Sequence, residues 1–156
     1  MTCTIRPATV TDLAELAELV GEFEMYFFGS MNPKADIVAR VRERLETILG
    51  SDMNFLLTAW DETGALCGYA AVDVLPSLVL PGPEAYLAEL IVGERWRGSG
   101  VGSELLDAVE SEAAKRGCCR LMLITSRERE TYERDFYKKQ GWTERPEIAN
   151  FIRILS

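Results

Sequence analysis

The 156-residue sequence contains no histidine. Ser-His-Asp and Cys-His mechanisms are therefore closed to it, and any proton transfer falls to Glu, Asp, Tyr, Lys, Cys or water. Cysteine is scarce and poorly spaced for metal: Cys3 and Cys67 stand alone and Cys118-Cys119 are adjacent, so there is no Cys-x-x-Cys pair. No metal site is expected, and the thiols read as reduced and buried. No apolar run approaches the length of a membrane-spanning helix. The start, Met1-Thr2-Cys3-Thr4-Ile5-Arg6-Pro7, lacks the apolar centre of a secretory signal. A cytoplasmic protein with no membrane partner is the expectation. Positive charge is also short, with 17 Lys and Arg against 25 Asp and Glu and a formal net charge of −8. Such a surface repels nucleic-acid phosphates, so no nucleic-acid partner is expected; it aids solubility and mildly favours cationic small molecules.

What is present suffices for one core. Apolar residues make up 47% of the chain, and the length fits a single domain over residues 1–156. Residues 2–6 alternate as a short strand closed by Pro7. Thr11-Asp12 offers an N-cap to a helix reaching about Phe28, where Gly29 stops it. Ile37, Val41, Leu45, Ile48 and Leu49 mark a second amphipathic helix ending at Gly50. Strands follow at residues 54–60 and 65–75 around a turn at 61–64, then a Pro-rich loop at 76–83. A strongly apolar strand spans residues 86–92, and a helix runs from about Gly100 to Lys115 with Gly117 behind it. Residues 120–125 form a buried-type strand, 129–140 a helix, and 142–145 and 151–155 two closing strands. Seven strands and four helices in this order mix hairpins with crossovers, so the α/β (α+β) fold should carry a central mixed, mostly antiparallel sheet.

The apolar strand runs directly into Arg97-Gly98-Ser99-Gly100-Val101-Gly102-Ser103 and a helix. Glycines permit positive φ and close approach of a ligand to the backbone. The first amides of the helix lack intrahelical acceptors and point outward as anion donors. A phosphate or pyrophosphate suits such a seat. A P-loop would need Gly-Lys-Ser/Thr, and no lysine follows these glycines. A dinucleotide fingerprint would want a third glycine where Ser103 stands, at the start of a βαβ unit.

Arg97-Gly98-Ser99-Gly100-Val101-Gly102 resembles the Arg/Gln-x-x-Gly-x-Gly/Ala signature of the GCN5-related N-acetyltransferase (GNAT) superfamily. Ile5-Arg6-Pro7-Ala8-Thr9 with Asp12-Leu13 resembles that family's opening strand and helix start. Phe136-Tyr137-Lys138-Lys139-Gln140-Gly141-Trp142 is similar to its Phe-Tyr-x-x-x-Gly-Phe motif. The resemblance covers essentially the whole chain. It implies a GNAT fold, with a seven-stranded twisted sheet flanked by four helices. It also implies acetyl-CoA as co-substrate, without a metal, and transfer of its acetyl group to a primary amine by direct attack in a ternary complex.

By the same resemblance, the turn from Arg97 to Gly102 with Ser103 holds the coenzyme's pyrophosphate. Leu90, Ile91 and Val92 pair their backbone with its pantetheine arm, and Ser126 lies in a loop that touches the coenzyme. Tyr137 falls where the family places an acid or hydrogen-bond donor for the departing thiolate, although a tyrosine there can also serve packing alone. Glu89, a carboxylate inside an apolar strand, is the candidate base; it can equally anchor the substrate's cation or form an ordinary salt bridge. Strict alternation would put Leu87, Glu89 and Ile91 on one face. The family often carries a second acid at the place of Ala88, which this chain lacks. The acceptor side would be built from residues 22–28 and the loop 76–83. A small-molecule amine is the leading acceptor. A protein or peptide amine, or a non-catalytic acetyl-CoA-binding sensor, are the alternatives, and the pattern allows a homodimer.

Overall fold

The computed structural model describes residues 2–30 and 32–155. The chain divides into two compact units, Met1–Ile124 and Thr125–Ser156. The first contains β1 (Thr4–Pro7), α1 (Leu13–Phe28), α2 (Lys34–Leu49), β2 (Asn54–Trp60), β3 (Leu66–Leu75), β4 (Glu84–Val92), α3 (Val101–Lys115) and β5 (Arg120–Met122). The sheet order is β1-β2-β3-β4-β5. The first four strands are antiparallel, and β5 is parallel to β4 because the helical crossover α3 separates them. The expected mixed, mostly antiparallel sheet is therefore what forms.

Apolar spacing decides which helix covers which face. Val101, Leu105, Leu106 and Val109 of α3 are buried, and Gly68 of β3 lies under them. A Cβ at Gly68 would sit 2.6 Å from the Ile91 carbonyl and 3.3 Å from Leu105, so only glycine fits. Tyr69 and Ile91 point to the opposite face, where they cluster with Leu16 and Leu19 of α1, Leu45 of α2, and Leu56 and Leu66. Each such leucine contributes about 1.5–3 kcal/mol on burial.

The start of α1 departs in detail from its expected capping. Asp12 precedes the helix, but its carboxylate makes no cap bond to it. It accepts instead from the Arg6 guanidinium at 2.7 and 2.8 Å and from the Thr9 amide at 2.8 Å. That bidentate partner holds the buried Asp12 carboxyl below its ordinary pKa. At the other end Gly29, at φ 65°, stops α1 where expected.

Strand β4 corrects the simple alternation. Ala71 pairs with Glu89 and Val72 with Leu87, so Ala88 is an extra residue, a β-bulge. Directly paired residues share a face. Glu89 and Ile91 thus lie with Tyr69 and Ala71, whereas Leu87 lies with Val72 on the α3 side. Expecting Leu87, Glu89 and Ile91 together was wrong for one reason: a single inserted residue reverses the period of two.

In the second unit the expected helix over 129–140 is broken into α4 (Glu130–Glu133) and α5 (Phe136–Lys139). The break falls at Asp135, whose φ of 55° is left-handed; aspartate is one of the few side chains that tolerate that region. Glu144 ties the residues beyond α5 back to α4, accepting hydrogen bonds from Tyr132 and Arg127 and forming an ion pair with Lys138. Residues 142–145 and 151–155 form no strand, so five strands rather than seven are found among the described residues. Apolar residues mark a segment able to bury a face, but a partner must complete it. Phe151, Ile152, Ile154 and Leu155 all remain exposed.

Candidate active site

The turn between β4 and α3 is shaped by two left-handed glycines, Gly98 at φ 75° and Gly100 at φ 97°. Another residue would cost about 1–2 kcal/mol at either place. A Cβ on either would meet nothing within 4 Å, so the glycines serve backbone conformation and leave open space in front of it. The amides fall into two groups. Those of Arg97, Ser99 and Ser103 are taken by the carbonyls of Glu94, Trp96 and Gly100 at 3.0–3.3 Å. Those of Gly98, Gly100, Val101 and Gly102 have no acceptor among the described residues. Four open donors at the head of a 15-residue helix, with its dipole behind them, form a cradle suited to a phosphate.

Arg97 supports this turn with its side chain. Its Nε donates to the Val92 carbonyl at 3.2 Å, and its guanidinium stacks over the Tyr26 ring at 4.2 Å. Glu22, one turn earlier on α1, accepts the Glu94 amide. The end of α1 thereby braces the loop, a link that residue spacing does not reveal.

The three strand residues proposed for a pantetheine arm behave differently from one another. The Gly93 amide donates to the Cys67 carbonyl at 2.9 Å, which fixes the phase of the ladder. Alternation then directs the backbone of Ile91 to β3 and that of Leu90 and Val92 to the opposite edge. Along that edge β5 pairs only with Glu84–Tyr86, leaving Leu90 open and Val92 in contact with Arg97. The Ile91 side chain is in the core.

Glu89 is exposed, on the far side of the bulge. Its Oε2 accepts a hydrogen bond from the Tyr69 hydroxyl at 2.6 Å. Burial and the Glu89 charge push the Tyr69 phenol well above its ordinary pKa, so it remains a donor. Tyr69 is the neighbour of Glu89 that residue spacing does not reveal. Its one signal was a polar-tipped ring in the otherwise apolar run Leu66–Val72.

Of the region expected to face an acceptor, part is structural. Glu24 is buried and binds Arg40 and Asn32, and Phe23 packs against the core. Met25, Tyr26 and Phe28 are exposed, as are Leu78 and Val79 in the loop after β3.

Tyr137 and Ser126 belong to the second unit. Tyr137 is half-buried, with ring centroids 5.1 Å from Phe136 and 6.1 Å from Trp142. Burial raises its phenol above the ordinary value, and the Arg129 charge acts in the opposite direction. Ser126 is exposed and accepts the Glu128 amide at 3.2 Å. Among the described residues no group of histidine, cysteine or carboxylate side chains could hold a metal ion. No helix there is long and apolar enough to cross a membrane.

An α/β sheet with a bulged, half-open strand leading into an amide cradle defines a protein suited to an extended, phosphate-bearing ligand. The chain belongs to the GNAT acetyltransferase family: the family described as "Acetyltransferase (GNAT) family" matches residues 17–142. No curated protein matches the sequence. Solved structures share the fold. A transcriptional regulator from Bacillus halodurans C-125 has a TM-score of 0.84 at 22% identity, covering 99% of this chain and 100% of its own. An aminoglycoside acetyltransferase from an uncultured soil metagenomic sample gives 0.77 at 22%, covering 99% and 97%. A glucosamine-6-phosphate N-acetyltransferase from Arabidopsis thaliana gives 0.77 at 19%, covering 98% and 100%. Their names span several roles, so the shared fold leaves the acceptor open.

Proposed function

We propose that the protein transfers the acetyl group of acetyl-CoA to a primary amine of a small molecule, within a ternary complex and as one functional domain. The observation that carries this reading is the set of open amides at Gly98, Gly100, Val101 and Gly102, continuous with the open edge of β4. The amides would take the pyrophosphate and Leu90 the amide-bearing arm, as an added strand would be taken. Acetyl-CoA supplies the activated acetyl thioester when bound. Glu89 takes the amine's proton, directly or through water, and Tyr137 Oη supplies a proton or hydrogen bond to the leaving sulfur. The role of Tyr137 rests on its place in the Phe136–Trp142 motif. The net charge of −8 favours a cationic acceptor.

The test is thiol release from acetyl-CoA across a panel of small primary amines and of peptides. Release with small amines and none with peptides is expected. Preference for peptides would move the acceptor to a protein amine, and coenzyme binding without release from any acceptor would leave a sensor. Tyr137→Phe should lower kcat about 100-fold while coenzyme affinity, read by calorimetry, stays within about twofold. Unchanged turnover would remove Tyr137 from the chemistry.

A further inference from the structure

We propose that Tyr69 is a positioning residue for the acyl transfer, fixing the Glu89 carboxylate through Oε2 and leaving Oε1 as the atom that receives the amine's proton. This rests on the reading of Glu89 as the base. Tyr69 is 4% exposed and surrounded by Leu16, Leu19, Leu56 and Ile91, where a phenylalanine would pack as well. Burying a hydroxyl without a partner costs about 1–3 kcal/mol. The partner supplied is an exposed carboxylate at 2.6 Å, a length typical of a charge-assisted O–H···O⁻ bond. No other hydrogen bond or ion pair reaches the Glu89 carboxylate among the described residues.

The backbone is arranged to make this contact. Had Ala88 paired regularly after Leu87↔Val72, Glu89 would fall opposite Ala70, on the α3 face. The bulge instead sets Glu89 opposite Ala71, diagonal to Tyr69 on the same face. An exposed glutamate ordinarily samples many rotamers; one held by a rigid core phenol presents its second oxygen in a fixed place, which is what a base needs.

A double-mutant cycle tests the coupling. Tyr69→Phe is expected to lower kcat about 10- to 100-fold, with KM for acetyl-CoA unchanged within about twofold. In a Glu89→Gln background, Tyr69→Phe should cost nothing further. Equal loss in both backgrounds would show Tyr69 acting independently of Glu89 and overturn the proposal. A large loss in Glu89→Gln with none in Tyr69→Phe overturns the positioning role alone. Full activity in Glu89→Gln overturns the base reading and the proposal with it. If Tyr69→Phe does not fold, Glu89→Asp reports on the same contact by withdrawing the carboxylate one methylene. At least a tenfold lower kcat is then expected, and full activity would overturn the proposal.

Discussion

The two halves of β4 are built from similar apolar residues and do different work. From Glu84 to Leu87 the strand is held by β3 on one edge and, over Glu84–Tyr86, by β5 on the other. Its inward side chains, Ala85 and Leu87, are buried. From Glu89 to Val92 the strand keeps β3 alone among the described residues, carries an exposed carboxylate, and leads into a turn with four open amides. One extra residue, Ala88, separates the two. A strand can therefore be closed scaffold and open edge at once, provided an irregularity lets it change partners and faces midway.

The largest expected effect separates those halves. Leu87→Ala, at a side chain 4% exposed, should destabilise the protein by about 2–5 kcal/mol, read by urea unfolding. Turnover per folded molecule should be unchanged. Two residues on, Glu89→Gln should show the converse, intact stability with lost turnover. If both substitutions lowered stability alike, the division at the bulge would be wrong.

Next comes the cradle. Gly100→Val forces a β-branched residue to φ 97°, costing about 1–2 kcal/mol of backbone energy, and fills the space before the amides. Loss of two charge-assisted hydrogen bonds should weaken coenzyme binding about 100-fold, measured by calorimetry. Retained affinity would remove the turn from the binding site.

The smallest effect lies outside β4 and serves as a control. Asp12→Asn removes the carboxylate that Arg6 and Thr9 share and should cost about 1–3 kcal/mol. Arg6 lowers the folded-state pKa of Asp12, so the ion pair's stabilisation is complete above the unfolded value. It is lost as the pH falls through the lower folded value. The gap between wild type and Asp12→Asn should thus be constant near neutrality and narrow below about pH 4. A gap independent of pH would mean that the pair is not the source.

Most helix ends were legible because they are local. Gly29 closes α1 at a positive φ, and Gly50 follows α2, both where turn chemistry puts them. The glycine turn was legible for the same reason. The bulge was not, since Ala88 has no side chain that announces an extra residue, and only the pairing with Ala71 and Val72 locates it. Tyr69 was overlooked because a tyrosine in an apolar strand reads as packing until its hydroxyl partner is known. The break at Asp135 was hidden by continuous helical spacing on both sides. Phe151, Ile152, Ile154 and Leu155 are apolar enough for a strand, but pairing depends on a partner their own spacing does not encode.

The amide cradle has one more consequence, for inheritance. Its donors belong to the main chain, so Ser99 can change its side chain without removing any of them. Mutation can erase the seat by replacing Gly98 or Gly100, by placing a proline at Val101 or Gly102, or by disturbing the helix behind it. On the proposed reading, the coenzyme is held by peptide groups common to every residue, so side chains facing an amine could change without weakening that hold.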